Sequence, residues 1–317
     1  MRSPCLPVAC ALAVVCMLLV SCSSAPKKSE TVITVKTQAD KEAESGESYY
    51  RQGRYDLAFQ LFTRALSEYA SVDDGEGIVR SYNAIGKSYI ALGSLDEAED
   101  ILLRARDRAH AESPTLLFDS SIALGELYLA KGDAQAARTT LLEAGAIPFP
   151  GRRPDQTAQL SHDLGTAEKN LGNSTKALEY FGLSLKTNLS NKYFAEAASD
   201  YYMIASVHSR DGRFDEALKY ATLALSLDKQ VESSPAIAKD LYALGLIATK
   251  KGDQASAFDY FQRSYLVSTS LGFREDMKRA LAGLVAAADA LGRTADAEAY
   301  RKALSDLQNQ ASATGSS

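Results

Sequence analysis

The residues of this chain whose side chains could carry out chemistry are few and far apart. His110, His162 and His208 have none of the short spacings that metal ligands show. We find no glycine-rich loop that would cradle a phosphate, and no catalytic pairing of carboxylates. The sequence therefore predicts no enzymatic activity, no metal site and no catalytic cofactor.

The cysteines point to a different kind of chemistry, because Cys5, Cys10, Cys16 and Cys22 all lie near the N-terminus. The apolar segment that precedes Cys22 is too short to cross a membrane comfortably as a helix. It ends in Leu19-Val20-Ser21-Cys22, which resembles the lipobox of bacterial lipoproteins. The resemblance implies a signal peptide over 1–21, cleavage between Ser21 and Cys22, and a diacylglycerol lipid (with fatty acids such as palmitate) on Cys22. An ordinary secretory signal with an incidental Cys22 is the alternative.

The residues after the cysteine are typical of a tether. The segment 22–37 is polar and has no helical periodicity, so we expect it to be flexible, as we do the C-terminal tail 309–317. Ser23 follows the cysteine, and in enterobacterial sorting a residue other than aspartate there favours the outer membrane. We therefore expect a lipid-anchored protein of the bacterial cell envelope, with its folded part in the periplasm or at the surface.

The composition argues against nucleic acid as a partner and favours a helical fold. The 317 residues carry a formal net charge of −5, with both signs mixed along the chain. A mildly acidic chain lacks the basic surface that nucleic acid binding requires. Abundant alanine, few prolines and no tryptophan favour helices that pack closely.

Seven glycines recur at steps of 39 or 40 residues, which indicates a repeat array. They are Gly53, Gly93, Gly132, Gly172, Gly212, Gly252 and Gly292. In the second unit, Ile78, Ile85 and other apolar residues at steps of three and four predict a helix that ends at Gly93. Ser94 and Glu97 then predict a capping box at the start of a second helix. Each unit is thus predicted to be two antiparallel helices joined by a tight turn.

Small residues recur at fixed offsets from these glycines, which predicts close contact between the paired helices. Seven residues before the turn stand Gly46, Gly86, Gly125, Gly165, Ala205 and Gly245. Five residues after it stand Ala58, Ala98, Ala137, Ala177, Ala217, Ala257 and Ala297. A large side chain at either place would push the two helices apart.

This pattern resembles the tetratricopeptide repeat. The first unit carries the signature residues Gly46, Tyr49, Gly53, Tyr55, Ala58, Phe62 and Ala65, and the later units match in part. The resemblance implies an all-α fold, a right-handed α-solenoid of about seven antiparallel helix pairs over residues 38–308. The seventh unit, with Val285 at the small-residue position, is interpreted as a degenerate terminal cap.

Two features depart from the family pattern. The units exceed the usual length of about 34 residues, so the helices or the links must be longer. The proline near the end of each unit is missing, and Ser113-Pro114 and Ser234-Pro235 instead predict helix starts with serine as the cap. The proline-rich segment 147–154 cannot be helical and is predicted to be a hinge between units three and four.

In this family, partners bind on the concave face that the first helix of each unit lines. Carried onto this chain, the predicted partner-binding residues are Arg80, Asn83, Lys87, His162, Lys169, Tyr202, Lys239 and Tyr242. Arg80, Asn83 and Lys87 fall on consecutive turns of one helix and could meet an acidic group. The neighbouring units lack the residues that grip a peptide C-terminus, so we do not predict carboxylate capture.

Two functions remain open from the sequence. The first is a membrane-anchored scaffold that binds other envelope proteins or peptides, with its oligomeric state undetermined. The alternative is a small-molecule- or lipid-binding accessory component of a transport system, suggested by Tyr202, Tyr242 and Leu246 on the predicted inner face.

Overall fold

The computed structural model describes residues 34–314, and all regular structure within this range is helical. The predicted signal peptide and the predicted lipidation site Cys22 lie outside the described residues. The helices are α1 (Val35–Arg51), α2 (Tyr55–Ser71), α3 (Gly75–Leu92), α4 (Leu95–Glu112), α5 (Pro114–Ala130), α6 (Ala134–Ala146), α7 (Pro154–Asn170), α8 (Ser174–Ser190), α9 (Phe194–Arg210), α10 (Phe214–Gln230), α11 (Ser234–Lys251), α12 (Gln254–Leu271), α13 (Arg274–Ala290) and α14 (Thr294–Thr314).

Helices that follow one another pack as antiparallel pairs, which confirms the predicted solenoid of seven helix pairs. Odd-numbered helices are the first helices of their units, and even-numbered helices are the second. Helix α1 begins at Val35, three residues before the predicted start of the array at 38. Helix α14 continues to Thr314, past the predicted end at 308 and into the predicted tail.

The extra residues of each unit lie in the helices. Most helices are 17 or 18 residues long, and most links contain only one to three residues. The exception is the link between α6 and α7, and α6 itself has only 13 residues. The departure from the usual repeat length therefore lengthens the packed surface of each helix rather than the loops.

The seven periodic glycines occupy equivalent bends between the two helices of a unit. Their φ angles lie between +71° and +88°, in the left-handed region that glycine enters without a steric penalty. This confirms the predicted turns. Three bends between units reach the same region with other residues, namely Asp73, Lys192 and Glu232, whose φ angles are 53°, 61° and 55°.

The small residues seven positions before each turn glycine face large side chains of the second helix of the same unit. A Cβ atom added at Gly46, Gly86, Gly125, Gly165 or Gly245 would lie 2.5 to 2.7 Å from a Phe or Leu side chain of the second helix. That residue always stands 16 positions later, as Phe181 does for Gly165. In the fifth unit the same two positions hold Ala205 and Ala221, both buried. The alanines five residues after each turn are fully buried, which confirms the predicted close contact.

Two predicted caps are corrected by the backbone geometry. Ser94 occupies the N-cap position with a ψ of 70°, but its side chain makes no capping hydrogen bond. Ser113, with φ −164° and ψ 153°, is extended, and its side chain accepts a hydrogen bond from the backbone N–H of Leu116 at 3.2 Å as predicted. At the other proline, Ser233 rather than Ser234 occupies the N-cap position, and it makes no side-chain cap.

The proline-rich link between α6 and α7 is not helical, as predicted, and Arg152 ties it to the helices. The guanidinium of Arg152 lies 4.6 Å from the ring centre of Phe118 and 4.9 Å from that of Phe149. It also donates to the carbonyl oxygen of Ile147 at 2.9 Å. A cation between two aromatic rings restrains this segment, so a hinge at 147–154 remains a prediction that must overcome these contacts.

Contacts between helices that are not consecutive in sequence define the inner side of the array. They join first helices of neighbouring units, namely α3 with α5, α5 with α7, α7 with α9 and α11 with α13. No comparably close contact joins second helices within residues 34–314. The first helices thus lie closer together and line the inner surface, as predicted.

Candidate functional site

A cavity opens among the described residues between the first helices of the third, fourth and fifth units, and Ser184 and Asn188 of α8 complete its wall. Its volume is about 750 Å³, within the range of about 300–1,000 Å³ that ligand pockets occupy. Four carboxylates line it: Glu126 from α5, Asp155 and Asp163 from α7, and Glu196 from α9. We call it the acidic cavity.

Asp163 is the most unusual residue of the acidic cavity. Its side chain is only 7% exposed, and its Oδ2 atom has no hydrogen-bond partner within the described part of the chain. Burial is the main reason why the pKa of Asp163 lies well above its usual range, and the charge of Glu126 raises it further. The ammonium group of Lys87 acts in the opposite direction.

The cations at the cavity are each held by a carboxylate of the chain itself. Lys87 reaches from α3 to Glu126, with 3.4 Å between Nζ and Oε2, and Gln159 also donates to Glu126. Arg153, at the start of α7, contacts Asp155 through two nitrogens at 3.1 Å. These pairs leave Asp163 and Glu196 as carboxylates without an ion-pair partner within residues 34–314.

A hydrogen-bond network fixes the wall of the acidic cavity opposite α5. The Nδ1 atom of His162 lies 2.7 Å from Oδ1 of Asp200, and Asn188 donates to Oδ2 of Asp200 at 2.8 Å. Both oxygens of this fully buried carboxylate are therefore satisfied. The bond to Asp200 orients the Asn188 amide, and its Oδ1 atom is left without a partner among the described residues.

A second, smaller cavity of about 280 Å³ lies further along the inner surface. Tyr202, Lys239 and Tyr242 line it, together with Leu246, Asp276 and Arg279. The ammonium of Lys239 lies 4.2 Å from the ring centre of Tyr202, which is a cation–π contact. We call it the tyrosine cavity.

Two lysines on first helices lie near enough for their charges to interact: Lys169 on α7 and Lys239 in the wall of the tyrosine cavity. Burial, followed by the charges of Arg210 and Lys239, lowers the pKa of Lys169 near the end of α7. Neither Lys169 nor Lys239 has an ion-pair partner within the described range. The inner surface is thus acidic around α7 and α9, and basic from Lys169 towards α11.

The structure brings together most of the residues predicted from the sequence, but in two groups. His162 lines the acidic cavity, whereas Tyr202, Lys239 and Tyr242 line the tyrosine cavity. Lys87 contacts the cavity residue Glu126, and Lys169 lines neither cavity but is close enough to Lys239 for their charges to interact.

The structure separates the three members of the predicted basic cluster on α3, and its binding to an acidic ligand stays a prediction. Arg80 forms an ion pair with Glu76 on its own helix, and Lys87 forms one with Glu126. Asn83 is only 9% exposed and belongs to the packed interior. Packing between α3 and α5 thus buries Asn83, whereas 69% of the Arg80 side chain remains exposed, a difference that periodicity alone did not reveal.

Sequence reasoning missed the acidic cavity, although one signal pointed to it. Asp163 stands two residues before Gly165, where three other units have alanine (Ala84, Ala123 and Ala243) and the terminal first unit has the exposed Glu44. An aspartate at a packing position of a repeat is costly unless a partner compensates it. Comparison of the units position by position would therefore have identified this residue.

Other kinds of site find no support in the described range. No group of three or more His, Cys, Asp or Glu side chains between residues 34 and 314 is arranged to hold a metal ion. None of the helices in this range combines the length and apolarity needed to cross a bilayer.

Comparison with known sequences decides the family. Sequence models described as tetratricopeptide repeat match residues 39–111 and 195–270, and a second such model matches residues 83–152. The chain belongs to the tetratricopeptide repeat family. The family's repeats support a role as a protein–protein interaction scaffold, and they are generally not catalytic.

Solved structures of the same architecture agree with this tetratricopeptide assignment. The apo form of RapI is 10% identical, covers 86% of this chain and 77% of its own, and superposes with a TM-score of 0.67. A Rap protein complexed with competence and sporulation factor is 14% identical, with 85% and 76% coverage and a TM-score of 0.64. Aspartyl phosphate phosphatase F from Bacillus subtilis is 13% identical, with 87% and 71% coverage and a TM-score of 0.62. At these identities the likeness shows the fold alone. No curated protein sequence matches the chain.

Proposed function

We propose that this protein is a membrane-anchored scaffold of the bacterial cell envelope that binds protein partners on the inner surface of its tetratricopeptide array. One observation carries the proposal: the inner surface combines two cavities with charged and aromatic walls in an array of a partner-binding family. Loops and cavities supplied by a rigid scaffold are the usual sites of recognition. The anchor rests on Leu19-Val20-Ser21-Cys22, which lies outside the described residues.

A crosslinking experiment tests where partners bind. A photo-crosslinking amino acid is placed at Ser199, on the rim of the acidic cavity, in the full chain expressed in a bacterial host. The matched control carries it at Leu183, which is 57% exposed on the second helix α8. We expect specific protein adducts from position 199 and not from position 183. Equal adducts from both positions, or none from either, would argue against inner-surface binding.

The anchor is tested separately through the cysteines. Replacement Cys22→Ser should move the protein from the detergent phase to the aqueous phase and abolish labelling with a palmitate analogue, because the thiol that carries the lipid is lost. Replacement Cys16→Ser, within the predicted signal peptide that is removed, is the control and should change neither result. If Cys22→Ser is still labelled, the chain is not a lipoprotein of this type.

The alternative function, a small-molecule- or lipid-binding accessory of a transport system, rests on the tyrosine cavity. Tyr202, Tyr242 and Leu246 do line one cavity, but Lys239, Asp276 and Arg279 share its walls. Its volume of about 280 Å³ is small for a lipid chain and better suited to a polar group. Native mass spectrometry of the purified full chain would favour this alternative if a solute co-purified and was lost on Tyr202→Ala replacement.

A further inference from the structure

The unpartnered atoms of the acidic cavity are all of one chemical kind. Asp163 is more than nine-tenths buried and Asn188 is 3% exposed, and both line the cavity. Oδ2 of Asp163 and Oδ1 of Asn188 have no hydrogen-bond partner within the described residues. The Asn188 oxygen is an acceptor, and so is the Asp163 oxygen in its ionised form, so a donor, above all a cationic one that favours this ionised form, is the missing partner. A buried acceptor without a donor costs stability, and an occupant that donates removes this cost.

The charges of the cavity add a second condition. Arg153 is paired with Asp155 and Lys87 with Glu126, so neither cation forms a direct ion pair with Asp163 or Glu196, although Lys87 acts on Asp163 from a distance. The fully buried Asp200 is held by His162 and Asn188 and adds further negative charge behind the wall. An occupant that only donates hydrogen bonds would leave this charge uncompensated. A cationic donor satisfies both conditions, since lysine and arginine side chains donate several hydrogen bonds and accept none.

We infer that the acidic cavity receives the side chain of a lysine or arginine from a partner polypeptide, with Asp163 as the main counter-charge. This inference rests on the proposed function, because it specifies what kind of partner residue enters the inner surface. The cavity of about 750 Å³ has room for the basic side chain and for neighbouring parts of the partner.

The stretch beyond the cavity favours a polypeptide over a free polyamine. Lys169 and Lys239 place two positive charges on the inner surface next to the acidic region. A polyamine that extended past the cavity would be repelled there, whereas a polypeptide can place a neutral or acidic residue against these lysines. We therefore expect the partner segment to place one basic residue in the acidic cavity and no further basic residues beside Lys169 and Lys239.

A displayed library of random decapeptides, selected on the purified full chain, tests the inference. We expect the enriched peptides to share a lysine or arginine at one position. Their affinity should fall about tenfold or more in Asp163→Asn, because a hydrogen-bonded charge pair in a partly buried site is lost. Asp276→Asn, the same change in the wall of the tyrosine cavity, is the matched control and should leave the affinity within about twofold.

Two further readouts separate recognition from folding. Asp163→Asn removes a buried, uncompensated carboxyl, so the variant should melt at the same temperature as the parent or higher while binding less well. If it nevertheless fails to fold, the exposed Glu196→Gln replaces it and should weaken the basic peptides about twofold to fivefold. Free spermidine as competitor distinguishes the two sources of a cationic group.

Several results would overturn the inference that a partner's basic side chain enters the acidic cavity. Enrichment of peptides without a basic residue, or of basic peptides that bind Asp163→Asn unchanged, overturns the inference while peptide binding by the array stands. Tight binding of spermidine that depends on Asp163 also overturns it, because the occupant is then a free amine. No enrichment at all, together with no adducts from position 199, overturns both the inference and the proposed function.

Discussion

Replacement of Gly165 by alanine tests the contact that closes each helix pair. The added Cβ atom would lie 2.7 Å from two ring carbons of Phe181, which is fully buried and has no room to retreat. Overpacking of this kind costs about 1–3 kcal/mol. The higher helix propensity of alanine returns about 1 kcal/mol, so the net loss should be about 1–2 kcal/mol.

Gly182 provides the matched control, because it also lies within a helix but an added Cβ would meet nothing within 4 Å. Gly182→Ala should therefore stabilise the protein by about 0.5–1 kcal/mol. The double variant Gly165→Ala/Phe181→Ala reproduces the pair that the fifth unit holds as Ala205 and Ala221. In the Phe181→Ala background, the Gly165 replacement should become stabilising, since the ring that it would strike is gone.

Urea denaturation followed by circular dichroism measures these four variants. Hydrogen exchange of peptides from α7 and α8 shows where the change acts, because repeat arrays can unfold unit by unit. The reasoning requires the effect of Gly165→Ala to change sign between the two backgrounds, a coupling of about 1.5–3 kcal/mol. If it is destabilising by the same amount with and without Phe181, the close approach is not what demands glycine.

Three further predictions concern the links and the interior. The pKa of Asp240 is raised to about 8, mainly by burial and then by Asp228. The folded state therefore holds a proton that the unfolded chain releases above about pH 4. The free energy of unfolding should fall as pH rises from about 4 to about 8. Asp228→Asn should flatten this dependence, as melting temperatures at both ends of the range would show. Lys192→Gly should raise the free energy of unfolding by about 0.5–1 kcal/mol in urea titrations, because it relieves a left-handed residue. Arg152→Ala should cost about 2 kcal/mol and speed hydrogen exchange in 147–153, and unchanged exchange there would count against the restraint by Phe118.

The fold was predictable because the same residue pattern recurs in several units, so each unit supports the interpretation of the others. One glycine at a bend is ambiguous, but Gly93 recurs as Gly132 and Gly172 at the same interval, and the residue seven positions before each is again a glycine. Side-chain size at fixed offsets is therefore constrained several times over. Helix caps were less predictable, because Ser94 and Ser113 have the same side chain but different φ and ψ angles, and the sequence pattern does not specify these angles.

The site was less predictable, because its chemistry depends on which neighbours meet across units. Lys87 is on the predicted face, yet whether it is free depends on Glu126, 39 residues later on another first helix. His162 was predicted as a contact residue, and its bond to Asp200 shows that it also holds the wall of the cavity. Side-chain pairs between units depend on how neighbouring helices stack. A sequence pattern specifies the relative position of these helices only to within one helical turn.

The cavity and the repeat packing are physically connected through Phe181. Its ring fits against Gly165 on one side, and on another the imidazole of His162 lies with its ring centre 5.5 Å away. Because His162 is bonded to Asp200, any displacement of Phe181 is passed to the wall of the acidic cavity. The packing of Phe181 against Gly165 thus helps to hold the cavity wall in the geometry that leaves Asp163 without a partner in the described part of the chain. We therefore expect binding to the acidic cavity to weaken in Gly165→Ala even though residue 165 contacts no partner, and to stay unchanged in Gly182→Ala.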